Sequence, residues 1–203
     1  MNDIPINLAV EDALSEAVLR EMLKQSLRNF SVGQCYNKGG FGYLKKLIPG
    51  LNHAAKGMPY FVLTDLDTEE CPLSLISSWL SQPKHPNLLF RIAVREVEAW
   101  LLAHREAFSD FLGISEDLIP VNSDEIPDPK QCLINLARRS RKRTLREGIV
   151  PAQGSTAKIG KDYNGQLIRF VQNSWQAEAA QVNSPSLKRA MQTLLNFEPI
   201  WEN

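Results

Sequence analysis

Along the first half of the chain, short apolar runs alternate with stretches whose apolar residues recur at helical spacing. Ile4–Val10 (IPINLAV) is the first such run, and Glu11–Gln25 follows with Leu14, Val18, Leu19, Met22 and Leu23 on one helical face. The pattern predicts a strand running directly into an amphipathic helix. Ser15 with Glu16 stands near the first turn as a start or cap, offset from a standard capping box. A second extended piece is expected at Phe30–Tyr36, then a glycine-bearing loop and a short helix over Tyr43–Ile48 closed by Pro49 and Gly50. Met58–Thr64 (MPYFVLT) reads as a strand buried on both faces, ending in Asp65-Leu66-Asp67. Leu73–Leu80 reads as a helix, Asn87–Val94 as a strand, and Glu96–Phe108 as a helix with Val97, Trp100, Leu101 and Phe108 on its apolar side. This succession predicts an α/β fold with a parallel sheet, right-handed crossovers and flanking helices.

Beyond Pro120 the strand signal stops. Asn122–Pro129 (NSDEIPDP) is a polar connector, and Lys130–Arg146, Tyr163–Ala180 and Ser184–Leu195 carry helical spacing. The expected organisation is an α/β domain over residues 1–120 and an α-helical extension over 121–203, packed on the same core. No internal repeat is visible.

Composition narrows the functional classes only by exclusion. A chain of 203 residues with 43% hydrophobic and 23% charged positions is an ordinary globular chain. Lys+Arg and Asp+Glu are equal at 23 each, so no overall positive field attracts nucleic acid, and such contact requires a local patch or a metal. The start, MNDIPINLAVEDALSE, lacks a basic segment followed by an apolar run, and no apolar stretch approaches the ~20 residues of a membrane span, so a cytoplasmic protein without membrane contact is expected. Cys35, Cys71 and Cys132 fit neither a disulfide framework nor a C-x-x-C metal site and read as separate thiols.

The chemistry suggested by the pattern is that of clustered carboxylates. Ligands of open parallel sheets bind beyond the carboxyl ends of the strands, which is where Glu11 and the Asp65/Asp67 pair fall. In extended backbone, residues two apart project to the same side, so the D-x-D pair would aim both carboxylates at one point. Acids gathered in this way repel one another and call for a cation; Mg²⁺, or Mn²⁺ in its place, suits oxygen ligands completed by substrate phosphates. The plainer readings are a turn aspartate pair and a helix N-terminal acid at Glu11.

The series LAVEDALSEAVL, YFVLTDLD and FRIAVREVEAWLLA resembles the Toprim domain of topoisomerases, primases and overcoming-lysogenization-defect nucleases, over roughly residues 4–105. It is most similar to a poorly characterised Toprim-like family of bacterial genomes. The resemblance implies that Glu11, Asp65 and Asp67 bind Mg²⁺ or Mn²⁺ and that Glu98, in the E-A-W-L-L stretch, assists catalysis. A lysine near the transition-state phosphate is also implied, with Lys130, Lys158 and Lys161 as the candidates. The implied activity is that of a Mg²⁺-dependent nuclease in bacterial defence or DNA maintenance, acting on DNA or RNA beside a partner ATPase. The chain departs from the pattern where Toprim domains carry Gly after the first Glu, since Asp12 stands there, and the small-acid pair arrives one position late as Ser15-Glu16. No tyrosine nucleophile is assignable, so hydrolytic relatives fit better than topoisomerases. The rivals are a non-catalytic Toprim-like module that regulates an ATPase and a small-molecule phosphate-ester hydrolase.

The remaining candidates have bland counterparts. Gly39, Gly40 and Gly42 lack the spacing of a phosphate loop. Glu96 and Glu98, if both helical, point about 200° apart, so that only one would face the site. Arg91 and Arg95 are expected as ion-pair partners. The run Arg138, Arg139, Arg141, Lys142, Arg143 with Arg146 is either a nucleic-acid patch or a solvated helix face. His53, His85 and His104 show no ligand spacing, and Trp100 and Trp175 read as core.

Overall fold

The computed structural model describes residues 3–201. Strands β1 (Ile4–Val10), β2 (Phe30–Tyr36), β3 (Tyr60–Asp65) and β4 (Leu88–Ala93) form one four-stranded sheet in the order β2-β1-β3-β4. Every neighbouring pair is parallel. The α/β class expected from the pattern is therefore the one observed. Because the chain goes from β1 to β2 on one side and then passes back to β3 on the other, the connections leaving β1 and β3 diverge. Their carboxyl ends flank the position where parallel sheets open a crevice.

Alternation along the strands sorts the core into two faces. Ile6, Leu8, Val10, Phe61, Leu63, Leu89 and Ala93 face α1 (Ala13–Gln25), α4 (Val97–Leu102) and the C-terminal helices. Ala9, Val62, Leu88, Phe90 and Ile92 face α2 (Gly40–Ala54) and α3 (Pro72–Trp79). The unbroken apolar run of β3 follows from burial on both sides. After α5 (Arg105–Leu112), the tail consists of α6 (Pro129–Arg138), α7 (Arg143–Ile149), α8 (Tyr163–Asn173), α9 (Ala177–Ala180) and α10 (Pro185–Leu195). Its residues Leu133, Leu167, Phe170 and Leu187 belong to the same apolar cluster as Leu8 and Leu14. Trp100 and Trp175 are buried in that cluster, as expected, and the Trp175 indole donates to the Trp100 carbonyl at 2.9 Å.

Several boundaries depart from the sequence pattern. Helix α1 starts at Ala13 rather than Glu11, because Asp12 is its N-cap and accepts from Ser15 N at 2.8 Å; Ser15 and Glu16 lie inside the first turn. Helix α2 runs from Gly40 through Pro49 to Ala54 instead of stopping at Ile48. Its buried side is Leu44, Ile48 and Leu51, while Pro49 is exposed, where water can take the carbonyl that its ring leaves unpaired. Gly39 precedes this helix at φ 102°, a conformation that favours glycine.

The long helices predicted over Glu96–Phe108, Lys130–Arg146 and Tyr163–Ala180 each break into two. The first breaks because the tail captures the carbonyls at the end of α4: Asn183 Nδ2 donates to Ala103 at 2.9 Å and the Trp175 indole takes Trp100. The second breaks at buried Ser140, whose hydroxyl donates to the Leu112 carbonyl at 2.5 Å. The third breaks where Trp175 is drawn into the core.

Asn87, fully buried ahead of β4, closes the C-terminal segment onto the sheet. Its Nδ2 donates to Ala55 O at 3.0 Å and Ile200 O at 2.6 Å, and its Oδ1 accepts from Ile200 N at 2.8 Å. Asn87→Ala leaves these backbone groups without partners. The expected loss, read from urea unfolding, is about 2 kcal/mol, with faster proteolysis near residue 200.

Candidate active site

Beyond the carboxyl ends of β1, β3 and β4 lies a group of acids supplied by three connections. Val10 pairs with Leu63, so Glu11 emerges level with Thr64. Glu11 Oε1 accepts from the Thr64 hydroxyl and from Asp65 N at 3.1 Å. Asp65, opposite Ala93, turns its Oδ1 to Val97 N at 2.9 Å, the first residue of α4. Each of these two carboxylates is thus oriented by the backbone of the neighbouring strand connection.

Asp67 does not share the direction of Asp65 by strand alternation, as the D-x-D spacing had suggested. Strand β3 ends at Asp65, and Asp67 lies in a left-handed turn at φ 49° facing Arg95, itself at φ 62°. Asp67 N donates to Arg95 O at 2.8 Å, and the Arg95 guanidinium returns to Asp67 O at 2.9 Å and Glu69 O at 3.1 Å. Arg95 is therefore a clamp on backbone carbonyls and forms no ion pair among the described residues. Two adjoining non-glycine residues in this region hold backbone strain of about 1–3 kcal/mol each, which concentrates at functional turns.

Glu96 and Glu98 are not mutually exclusive. Glu96 is the extended N-cap of α4 while Glu98 is in its first turn, and this break in helical geometry lets both reach Lys130. Lys130 Nζ lies 2.9 Å from Glu96 Oε1 and 3.5 Å from Glu98 Oε1, and Lys130 N donates to Glu96 Oε2 at 2.8 Å. Glu98 is 2% exposed and accepts from the Tyr163 hydroxyl at 3.0 Å, while its Oε2 is buried with no hydrogen-bond partner among the described residues.

The electrostatics follow from burial and repulsion. Asp65 keeps only an edge of solvent contact. Burial pushes its carboxyl well above the usual carboxylate range, and the charges of Glu98, Glu11 and Asp67 push the same way against Lys130. Glu11 is raised by burial, with Asp67 and Asp12 adding to it and its hydrogen bonds opposing. Asp67 is raised by burial and Glu96. Burial pushes Glu98 up to about 7, against the pull of Lys130. Burial disfavours the charge on Lys130, but Glu98, Glu96 and Asp65 outweigh it and hold the ammonium above its ordinary value.

The structure thus brings Glu11, Asp65, Asp67, Glu98 and Lys130 into one electrostatic unit. Lys158 and Lys161 stand exposed in the loop before α8. Among the described residues, no three His, Cys, Asp or Glu side chains close as a ready-made ion cage. The carboxylates of Glu11, Asp65 and Asp67 are nonetheless of the right chemistry for Mg²⁺, all-oxygen and crowded by like charge, and the neighbouring Glu98 Oε2 is a buried carboxylate oxygen with no hydrogen-bond partner among the described residues. Tyr163 was not legible as a site residue, because it comes from the tail. Thr64, the polar residue that breaks the apolar run of β3 just before Asp65, is the signal in the sequence for the group that holds Glu11.

No family model, curated protein or solved structure matches the chain.

The basic run is divided by the turn at Ser140 between α6 and α7, so it is not one helix face. Arg143 pairs with Glu147 at 2.7 Å, Lys142 donates to Asp110 O at 2.7 Å, and Arg146 donates to Ser140 O at 2.9 Å. His104, buried at the α4–α5 break, accepts from Gln176 N at 3.0 Å, as befits a locally bonded histidine. Among the described residues, no helix is long and apolar enough to cross a membrane.

Proposed function

We infer that the chain is a Mg²⁺-dependent, Toprim-like phosphodiester-processing enzyme, a nuclease in which water is the attacking group. The observation that carries this reading is the convergence of Glu11, the Asp65/Asp67 pair and Glu98 from three strand connections at the point where the sheet order reverses, their carboxyls raised chiefly by burial and further by neighbouring acids. Glu11, Asp65 and Asp67 would hold Mg²⁺, or Mn²⁺ in its place. When bound, the ion supplies Lewis-acid polarisation of a phosphoryl oxygen. Thr64 and the amides of Asp65 and Val97 orient two of the carboxylates. Lys130 contributes positive charge beside the substrate phosphate, and Glu98 exchanges a proton near neutral pH. Nucleic acid is the substrate class, in bacterial defence or DNA maintenance, with an ATPase as the companion protein implied by the resemblance.

The non-catalytic alternative has its own support: Lys130 already neutralises Glu96 and approaches Glu98, as expected of a cluster held by a side-chain cation. Incubating the purified chain with single- and double-stranded DNA and RNA, in Mg²⁺, Mn²⁺ or EDTA, separates the two. Cleavage confined to the metal-containing reactions is the expected result. No cleavage together with no magnesium or manganese uptake by calorimetry would leave only the regulatory module.

A further inference from the structure

A second charged locus lies on the β4 side of the sheet and has the opposite sign. Between β4 and α10 is a cavity of about 540 Å³ lined by Lys84, Arg91, Arg189, Gln192, Thr193 and Asn196. Arg91 is on β4 and shares the face of Leu89 and Ala93, which turns toward α10. Asp65 pairs with Ala93, two residues further along the strand, and the cavity extends the other way to Leu88 and Pro86. It is therefore set back from the acid cluster.

The α10 side of the cavity is ordered by the sequence. Leu187, Ala190, Met191 and Leu194 bury one face of the helix. Arg189, Gln192, Thr193 and Asn196 fall at i, i+3, i+4 and i+7, so they form a polar stripe along the cavity wall. The start of α10 is fixed by Asp124, which accepts from Ser184 Oγ at 2.6 Å and Ser186 N at 2.7 Å.

The cations here are unbalanced. Arg91 was expected to be an ion-pair partner, yet neither it nor Arg189 forms an ion pair among the described residues, and Arg91 Nε is buried without a hydrogen-bond partner. Lys84 uses its ammonium on the Leu88 carbonyl at 2.9 Å. The acid at the rim, Glu198, is engaged at 3.0 Å by Arg28. Burial and the neighbouring like charge depress the proton affinity of both Lys84 and Arg91. A half-desolvated group of like charges is unfavourable in the free protein, and an anion relieves it.

We propose that this cavity binds the phosphate group of a nucleotide-sized phosphate ester, with Arg91 and Arg189 as paired guanidinium ligands and Lys84 as a third cation. Guanidinium donors match the tetrahedral oxyanion. The cleft is open to solvent along its α10 side, and its volume leaves room for more than a bare phosphate. Gln192 and Asn196 offer amides to the rest of the ligand. This site does not depend on the acid cluster being catalytic.

The test is calorimetric titration and thermal unfolding in EDTA at low salt. The probes are inorganic phosphate, a nucleoside monophosphate, a 5′-phosphorylated oligonucleotide and its dephosphorylated twin. The phosphate-bearing probes are expected to raise Tm, and Arg189→Gln, on the solvent side of α10, is expected to weaken them about tenfold. Arg91→Met is expected to abolish the shift while raising the Tm of the ligand-free chain, since it removes a half-buried, unpaired charge. Preference for the phosphorylated oligonucleotide identifies a terminal phosphate as the ligand; equal binding of both strands, lost in the variants, identifies the backbone diester. The proposal is overturned if phosphate and nucleotide give neither heat nor a Tm shift, if binding is undiminished in Arg189→Gln, or if Asp65→Asn abolishes it.

Discussion

Asp65→Asn is expected to abolish metal-dependent cleavage while making the metal-free chain more stable. Asparagine keeps the oxygen that accepts from Val97 N, so the connection into α4 is preserved. What it removes is a carboxylate crowded by Glu98, Glu11 and Asp67. Losing an outer-shell partner of a metal costs about 10–100-fold, so losing a direct ligand is expected to lower cleavage by about 10³-fold or more. In EDTA the same change relieves like-charge repulsion, for a gain of about 1 kcal/mol, or about 2–4 °C in Tm for a chain of this size. Cleavage assays and thermal unfolding on one preparation read both effects. Unchanged cleavage would remove Asp65 from the chemistry, whereas a fall in both activity and stability would mean that the carboxylate is a structural brace.

The pH dependence of folding is expected to carry the signature of Glu98. Its ordinary value of 4.5 is pushed up to about 7 in the folded protein, chiefly by burial. Below 4.5 both folded and unfolded chains hold the proton. Between 4.5 and about 7 the unfolded chain releases it while the folded chain retains it, so stability falls as pH rises through this window. At about 1.4 kcal/mol per unit the loss from this group amounts to about 3 kcal/mol above pH 7. Asp65, Asp67 and Glu11 shift in the same direction and add to the slope, while Glu16 and Glu147 shift the other way. Glu98→Gln keeps an acceptor for Tyr163 and isolates the contribution of this one residue. Urea unfolding in EDTA from pH 4 to pH 8 is expected to give a flatter profile for the variant, with the two proteins diverging most at pH 8. Parallel profiles would mean that Glu98 is ionised without cost in the folded chain.

Local pattern carried the fold further than it carried the site. Strands β1, β3 and β4 were legible because each is a short, mainly apolar run with a polar boundary, and β3, apolar at every position up to Thr64, announced burial on both faces; β2, with Ser31, Gly33 and Gln34, is a half-exposed edge strand. The acids were legible because they follow such runs. Helix ends were not, since Trp175, Asn183 and Ser140 terminate helices by reaching carbonyls far away in sequence. The same long reach hid Tyr163, which lies 65 positions from Glu98. Lys130 was one of three equivalent lysines until folding set it against Glu96. Arg91 was misread because sequence offers no sign that a strand arginine will face another cation.

The dependence of the site on the tail also orders events during synthesis. A nascent chain that has emerged as far as Pro120 already carries Glu11, Asp65, Asp67, Glu96 and Glu98, but neither Lys130 nor Tyr163. Until those two leave the ribosome, the carboxylates have no internal cation and Glu98 lacks the hydroxyl that caps it. The acid cluster is therefore completed late, and a chain ended before Lys130 leaves Glu96 and Glu98 without the ammonium and the phenol that hold them.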